Sequence, residues 1–390
     1  MSLLLKVIHI RKEPGGLGLK RDFERLRRIV VKVGTSSLTH KNGKLNLAKI
    51  EKLVRELADL HNEGREVLLV TSGAIGAGLG RLGLKTRPRT IPEKQACAAV
   101  GQGLLLQIYE KLFAENGITV GQVLLTRDDL SDRRRFLNAR NTLLTLLKYR
   151  VLPVINENDT VAVDEIRFGD NDTLSALVTN LVDAEMLLIL SDVDGLYTAD
   201  PHTSPEAQLI SEVTAITPEL QALATGTVSR TGTGGMVTKF QAAQIVGRAG
   251  AVMVIAGAGT DRIIRRVLAG ENVGTVFWPT ERLEGRKRWI LFGAAVQGRI
   301  YVDEGAARAL RENGKSLLPS GVIRVEGEFE AGHPVSIFDL SGNEIARGLA
   351  NYSAAEVDRI KGVKTERIGE IIGAQPFDEV VHRNNLVLMH

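Results

Sequence analysis

Short apolar runs alternate with stretches of helical periodicity through most of the chain, and this alternation predicts its main elements. Ile29, Val30, Val31 and Val33 are β-branched and read as a buried strand, followed at once by Gly34-Thr35-Ser36-Ser37, a turn of phosphate size. Leu47, Ile50, Leu53, Val54, Leu57 and Leu60 then recur at helical spacing across Leu45 to Asn62, with Gly64 as the stop. Val67 to Val70 is a second buried strand that ends on Thr71-Ser72-Gly73-Ala74-Ile75-Gly76. Thr119 to Leu124, Val151 to Ile155 and Met186 to Leu190 are further strands. Repeated strand-turn-helix order implies a parallel sheet whose ligands bind at the carboxyl ends of its strands. From about Glu281 the pattern changes to short strands and turns (Arg299 to Val302, Ser320 to Val325, Pro334 to Asp339), which reads as a separate small β domain.

Polar residues at the strand ends carry the candidate chemistry. Lys32 interrupts the first apolar run. Burying an ammonium among valines is costly unless an anion meets it, so Lys32 is expected to project toward a nucleotide phosphate; the alternative is a sheet-edge lysine with its charge in water. Gly78-Leu79-Gly80-Arg81-Leu82-Gly83 formally matches a dinucleotide glycine pattern, but it lies several residues past its strand, which argues against that reading. Gly73 to Gly80 is expected to be a flexible, closely packed loop whose N–H groups approach a carboxylate.

The strand ending at Ile155 opens onto six carboxylates within 17 residues: Glu157, Asp159, Asp164, Glu165, Asp170 and Asp172. They need cations or ammonium groups to balance them, which suits an amine-bearing substrate and a metal-bound nucleotide; the competing reading is a solvated acidic loop. Ser191-Asp192-Val193-Asp194-Gly195 resembles the start of a calcium loop without the remaining ligands, and Ser191 and Asp192 are better suited to a nucleotide. Thr231 to Lys239 places three glycines at a helix start, where backbone donors and Lys239 favour an anion. Gly314-Lys315-Ser316 has Ala309 where a phosphate-loop glycine belongs and is set aside.

Composition narrows this picture without redirecting it. The 390 residues are 44% hydrophobic and 25% charged, enough for a sizeable core and two or three domains. The one cysteine, Cys97, cannot form an internal disulfide and sits in an Ala-rich helical run as a small core residue, which fits a reducing cytoplasm. Eight Lys/Arg against three acids give residues 1–28 a charge of +5, while the whole chain carries +4. The basic balance therefore belongs to a leader, expected to be frayed or loosely docked, and not to a nucleic-acid-binding body. The leader's opening segment is too short and too interrupted for a signal peptide or a membrane span. Residues 281–390 hold 15 Lys/Arg and 16 Asp/Glu, so no bulk basic patch argues for RNA binding there.

Taken together the motifs resemble the amino acid kinase family. They run in one order: VVKVGTSSL, VTSGAIGAG, LLTRDD, RFLNARNTL, VLPVINENDTVA, FGDNDTLSA, SDVDGLYTADP, GTGGMVTK, RKRWI and VDEGAARAL. The resemblance implies a three-layer αβα sandwich around a mainly parallel eight-stranded sheet at 29–280, and a small barrel-like PUA domain with a C-terminal tail at 281–390. Within the family it points to the branch that transfers the γ-phosphoryl of ATP, with Mg2+, to the side-chain carboxylate of L-glutamate for proline synthesis. By resemblance, Lys32, Ser191, Asp192 and Thr233, Gly234, Gly235, Met236, Val237, Thr238 and Lys239 contact ATP. Ser72, Asp159 and Asn171 contact glutamate, and Asp172 holds Lys32 and Lys239, which are expected to act from opposite ends of the site. The resemblance also implies inhibition by proline, a homo-oligomer and coupling to glutamyl phosphate reductase. Nothing in the family pattern matches the basic leader. The alternatives are family members acting on acetylglutamate, carbamate, aspartate or a nucleoside monophosphate, and, from another class, an RNA-binding protein.

Overall fold

The structure is a computed structural model that describes residues 21–40, 44–84, 86–161, 171–199, 201, 203–218, 220–221, 235–279, 283, 285–373 and 377–389. The chain divides at Leu283 into two compact units, the second of which also takes in Ser131–Arg133. Arg133 lies with its guanidinium 5.0 Å from the centroid of the Trp289 ring, within that second unit.

The first unit is built on the apolar runs. β1 (Arg28–Val33), β2 (Glu66–Val70), β3 (Val120–Leu125), β4 (Leu152–Glu157) and β5 (Met186–Ser191) follow within a residue or two of the expected bounds. β6 (Leu196–Tyr197) and β7 (Leu209–Ile210) form a small ribbon, and β8 (Glu212–Val213), β9 (Val252–Gly257) and β10 (Thr275–Phe277) complete the main sheet. Its order is β3-β4-β2-β1-β5-β9-β10-β8, parallel from β3 through β9 and reversed at β10, which runs antiparallel to β9. β1 is central, and five of its six residues are buried. Register places Lys32 beside Val70 and Ile189, Val70 beside Ile155, and Ser191 beside Gly257, so these strand ends form one edge.

Residues 21–28 differ from the loosely docked leader expected from their charge. Phe23 and Leu26 are buried in the core, with Phe23 5.8 Å from Trp278 between ring centroids. The Arg27 and Arg28 amides donate to Glu185 at 2.6 and 3.0 Å, and the Arg28 guanidinium meets Glu66 at 2.7 Å. Two apolar anchors and paired charges outweigh the cost of ordering this segment. Residues 1–20 lie outside the described residues.

Gly73 to Gly80 is likewise not a loop. Ala74–Arg81 is a helix that packs against the long helix Ile91–Ala114, itself started by a capping box of Thr90 and Glu93. A Cβ on Gly101 would stand 1.8 Å from the Ala74 carbonyl oxygen, and one on Gly78 would stand 1.8 Å from that of Cys97. Gly78 and Gly101 are therefore spent on backbone contact between helices, which accounts for the first glycine of the pattern that resembled a nucleotide fingerprint. Cys97 is buried at this crossing, as its Ala-rich setting predicts.

In the second unit a five-stranded sheet, ordered β12-β11-β13-β14-β15, comprises β11 (Gly298–Val302), β12 (Val322–Gly327), β13 (Pro334–Phe338), β14 (Glu344–Leu349) and β15 (Leu386–Leu388). It encloses its own core, which includes Ile300, Val335, Ile337, Tyr352 and Val380.

The close crossing yields the first prediction. Gly101→Ala should lower stability by about 1–3 kcal/mol or prevent folding, because backbone on both sides must move apart. A urea midpoint equal to that of the wild type would show that the helices separate freely.

Candidate active site

The carboxyl edge of the sheet collects most of the residues singled out from the sequence. Lys32, next to last in β1, points out of the strand, and its Nζ lies 2.6 Å from Asp172 Oδ1. Asp172 stands in the first turn of the helix Asn171–Leu181, where the positive end of the helix dipole favours a carboxylate. Its second oxygen accepts from Lys239 Nζ at 3.1 Å and from Thr238 Oγ1 at 3.1 Å. Thr238 and Lys239 belong to the helix Met236–Arg248, capped by Gly235 and packed against Asn171–Leu181. Three elements distant in sequence thus meet on one carboxylate.

Burial makes this cluster demanding. Asp172 is 0% exposed, Lys32 4% and Lys239 6%. Burial alone would raise the Asp172 pKa, but the Lys32 and Lys239 ammonium groups override it and hold the carboxyl below its usual range. Two buried ammonium groups thus share one carboxylate at the carboxyl ends of the strands. Asp172 holds both lysines, as the resemblance implies; they were also expected at opposite ends of the site, whereas here they meet on one side chain.

Beside this cluster lies a second, neutral one. Asn171 Nδ2 is within hydrogen-bond distance of Thr71 O (2.6 Å), Ser72 Oγ (2.8 Å) and Asn156 Oδ1 (2.9 Å). Asn156 Nδ2 in turn donates to Gln102 Oε1 at 2.8 Å. Thr71 Oγ1 is 2.8 Å from the hydroxyl of Tyr109, whose burial raises its pKa. Ser72 is followed by Gly73, at φ 99° a left-handed position suited to glycine, which turns the chain into the helix Ala74–Arg81.

Asp159 stands half-buried two residues beyond the end of β4. Ser191 is buried at the end of β5 and donates to Asp192 at 3.2 Å, with Asp192 exposed. Gly235 and Met236 are half-buried and Val237 is exposed. Thr233 and Gly234, like Asp164, Glu165 and Asp170, lie outside the described residues. Among the described residues no group of three or more His, Cys, Asp or Glu side chains is placed to hold a metal ion. No helix of the described residues is long and apolar enough to cross a membrane. Gln102, Asn156 and Tyr109 were missed from the sequence, since a polar residue within a helical or strand pattern carries no local mark of its partner.

Residues 27–257 match the amino acid kinase family, and residues 298–372 match the PUA domain. The glutamate 5-kinase of Moorella thermoacetica is 60% identical over 364 residues, covering 93% of this chain and 96% of that protein. That of Caldanaerobacter subterraneus subsp. tengcongensis is 55% identical over 363 residues, covering 93% and 98%. Among solved structures, carbamate kinase from Giardia lamblia bound to AMP-PNP superposes with a TM-score of 0.47 at 18% identity, covering 66% of this chain and 100% of that one.

Asp172→Asn would take from two buried ammonium groups the carboxylate they share. It should lower stability by about 3–5 kcal/mol at neutral pH, measured by urea denaturation. Because the native Asp172 pKa is depressed, its contribution is complete above the unfolded value of about 4 and is lost as pH falls through the lower native value. The two proteins should therefore differ most above about pH 5 and converge in stronger acid; a constant gap down to pH 2 would contradict the charge assignment.

Proposed function

The chain belongs to the amino acid kinase family, and from that premise we propose that it phosphorylates the side-chain carboxylate of L-glutamate with ATP, giving L-glutamyl 5-phosphate. The observation that carries this reading is the buried Lys32–Asp172–Lys239 cluster at the carboxyl edge of a parallel sheet. The glutamate 5-kinases that are 55–60% identical to this chain support it.

The chemistry asks little covalent help of the protein. The substrate carboxylate is already a nucleophile; one of its oxygens bonds to the γ-phosphorus as the bond to the β–γ bridging oxygen breaks, and ADP leaves with the electron pair. No proton moves in this step. What is required is charge control, since two anions must approach in line. Lys32 and Lys239, aimed by Asp172, supply positive charge to the transferring group and to the bridging oxygen, and Thr238 fixes the second carboxylate oxygen of Asp172. Ser191, Asp192 and residues 233–239 hold the nucleotide. Magnesium enters as MgATP, held by phosphate oxygens and water.

Ser72, Asp159 and Asn171 hold glutamate. Asp159 pairs with the α-ammonium, and the turn at Ser72 takes the α-carboxylate. Proline carries the same two groups, so it competes in this pocket as a feedback inhibitor of proline biosynthesis. The product is an acyl phosphate, labile in water, which suits a cytoplasmic homo-oligomer coupled to glutamyl phosphate reductase. Residues 29–280 form the kinase domain and 281–390 the PUA domain and tail; the near-balanced charge of the latter gives no support for RNA binding.

The test is acyl-phosphate formation, trapped as the hydroxamate, with MgATP and L-glutamate, N-acetylglutamate or L-aspartate, with and without proline. Product from glutamate alone, suppressed by proline, is expected; product only from another acid would overturn the substrate. Lys239→Ala should lower kcat by about 10²–10³, by analogy with loss of one transition-state donor, and an unaltered kcat would remove it from the chemistry. Asp159→Ala should chiefly raise the KM for glutamate; an unchanged KM would break the ammonium assignment.

A further inference from the structure

We propose that Gln102, on the helix Ile91–Ala114, is a positioning residue that, through Asn156, keeps Asn171 locked with its oxygen as the hydrogen-bond acceptor toward the substrate and so favours an amine-bearing acid. This rests on the reading of L-glutamate as the phosphoryl acceptor.

The polarity of the buried amide chain is fixed at two points by backbone groups that play only one role each. Thr71 O is a carbonyl and only accepts, so the Asn171 atom 2.6 Å from it is the amide nitrogen. Glu157 N is an amide and only donates, so the Asn156 atom 2.9 Å from it is Oδ1. Everything between follows. Asn156 Oδ1 accepts from Asn171 Nδ2, and Asn156 Nδ2 is left needing an acceptor in a side chain only 3% exposed. Gln102 Oε1, at 2.8 Å, supplies it.

At the other end, the two amide hydrogens of Asn171 face three acceptors and are used up. What Asn171 retains for a ligand is its oxygen. Ser72 Oγ accepts from Asn171, so the Ser72 proton remains to be donated. The pair therefore reads a substrate in one sense: Asn171 oxygen toward an ammonium, Ser72 hydroxyl toward a carboxylate oxygen. Reversal of the chain would present a donor to the ammonium and reject it.

Gln102 reinforces the sense that Thr71 O and Glu157 N set. Without its oxygen the Asn156 amide hydrogens are buried and unpaired, so Asn156 turns to find a partner and releases Asn171. Gln102 is also well supported, because its neighbour Gly101 brings the helix backbone against Ala74.

The test compares kcat/KM for L-glutamate with that for glutarate, which lacks the ammonium, in wild type, Gln102→Met and Gln102→Glu. The methionine removes the acceptor at similar volume, while the glutamic acid offers an oxygen to Asn156 whether or not it is protonated. Gln102→Met should lower the glutamate-to-glutarate ratio about tenfold through the KM for glutamate, with kcat and the KM for ATP within about twofold. Gln102→Glu should restore the ratio. Should the methionine variant not fold, Gln102→Asn draws the acceptor back by one methylene and should give the same loss. An unchanged ratio, or equal losses on both acids and on ATP, would overturn the proposal. Wild type run alongside separates the two readings: turnover of glutamate with an unmoved ratio sinks the role of Gln102 alone, and no turnover of glutamate sinks both.

Discussion

The first unit depends on a single buried carboxylate. Asp172 is enclosed, yet it stays ionised because Lys32 and Lys239 each give it an ammonium. None of the three would be tolerated without the others: a lysine in the central strand of a sheet is a defect unless an anion waits at the strand's end. The helix Asn171–Leu181 must therefore start where it does, and Met236–Arg248 must arrive beside it with Thr238 and Lys239 leading. Two ammonium groups, buried and held on one carboxylate, are thereby fixed at the carboxyl edge of the sheet.

The neutral cluster next to it obeys a different constraint. Amides in the interior must each satisfy donors and acceptors, so orientation passes along Gln102, Asn156 and Asn171 without any net charge. Charge and polarity thus divide the site. The triad supplies field strength, and the amide chain supplies direction. Asn171 and Asp172, adjacent in the chain at one helix start, join the two.

Much of this was legible in the sequence wherever the signal is local. The β-branched run at Ile29–Val33 predicts a buried strand, and Lys32 inside it calls for an anion at the strand's end, which Asp172 supplies. The acidic stretch after β4 likewise draws attention to Asn171 and Asp172. Reading failed where packing decided. Gly73–Gly80 looked like a loop because glycine is a poor helix former, by about 1 kcal/mol per residue, yet the helix exists because small residues let two backbones touch. The leader looked loose because its charge masked Phe23 and Leu26, whose partners, such as Trp278, lie at the far end of the unit. Gln102 is one polar residue on a long helix, and its acceptor role exists only once β4 lies beside it. That both lysines share Asp172 came from the resemblance alone, since Lys32 and Lys239 are 207 positions apart (239 − 32) and only the topology joins them.

The central position of β1 also sets a timetable for synthesis. Lys32 leaves the ribosome early, and the carboxylate that allows its dehydration follows 140 residues later (172 − 32). At about 5–20 residues per second that interval is on the order of ten seconds. Its flanking strand β5 emerges only after Asp172. The nascent chain therefore carries the central strand of its sheet, with a hydrated ammonium still attached, before either the Asp172 carboxylate or the second neighbour exists. A charge within an apolar run disfavours aggregation, so Lys32 is placed to keep that strand soluble until the helix Asn171–Leu181 has been made.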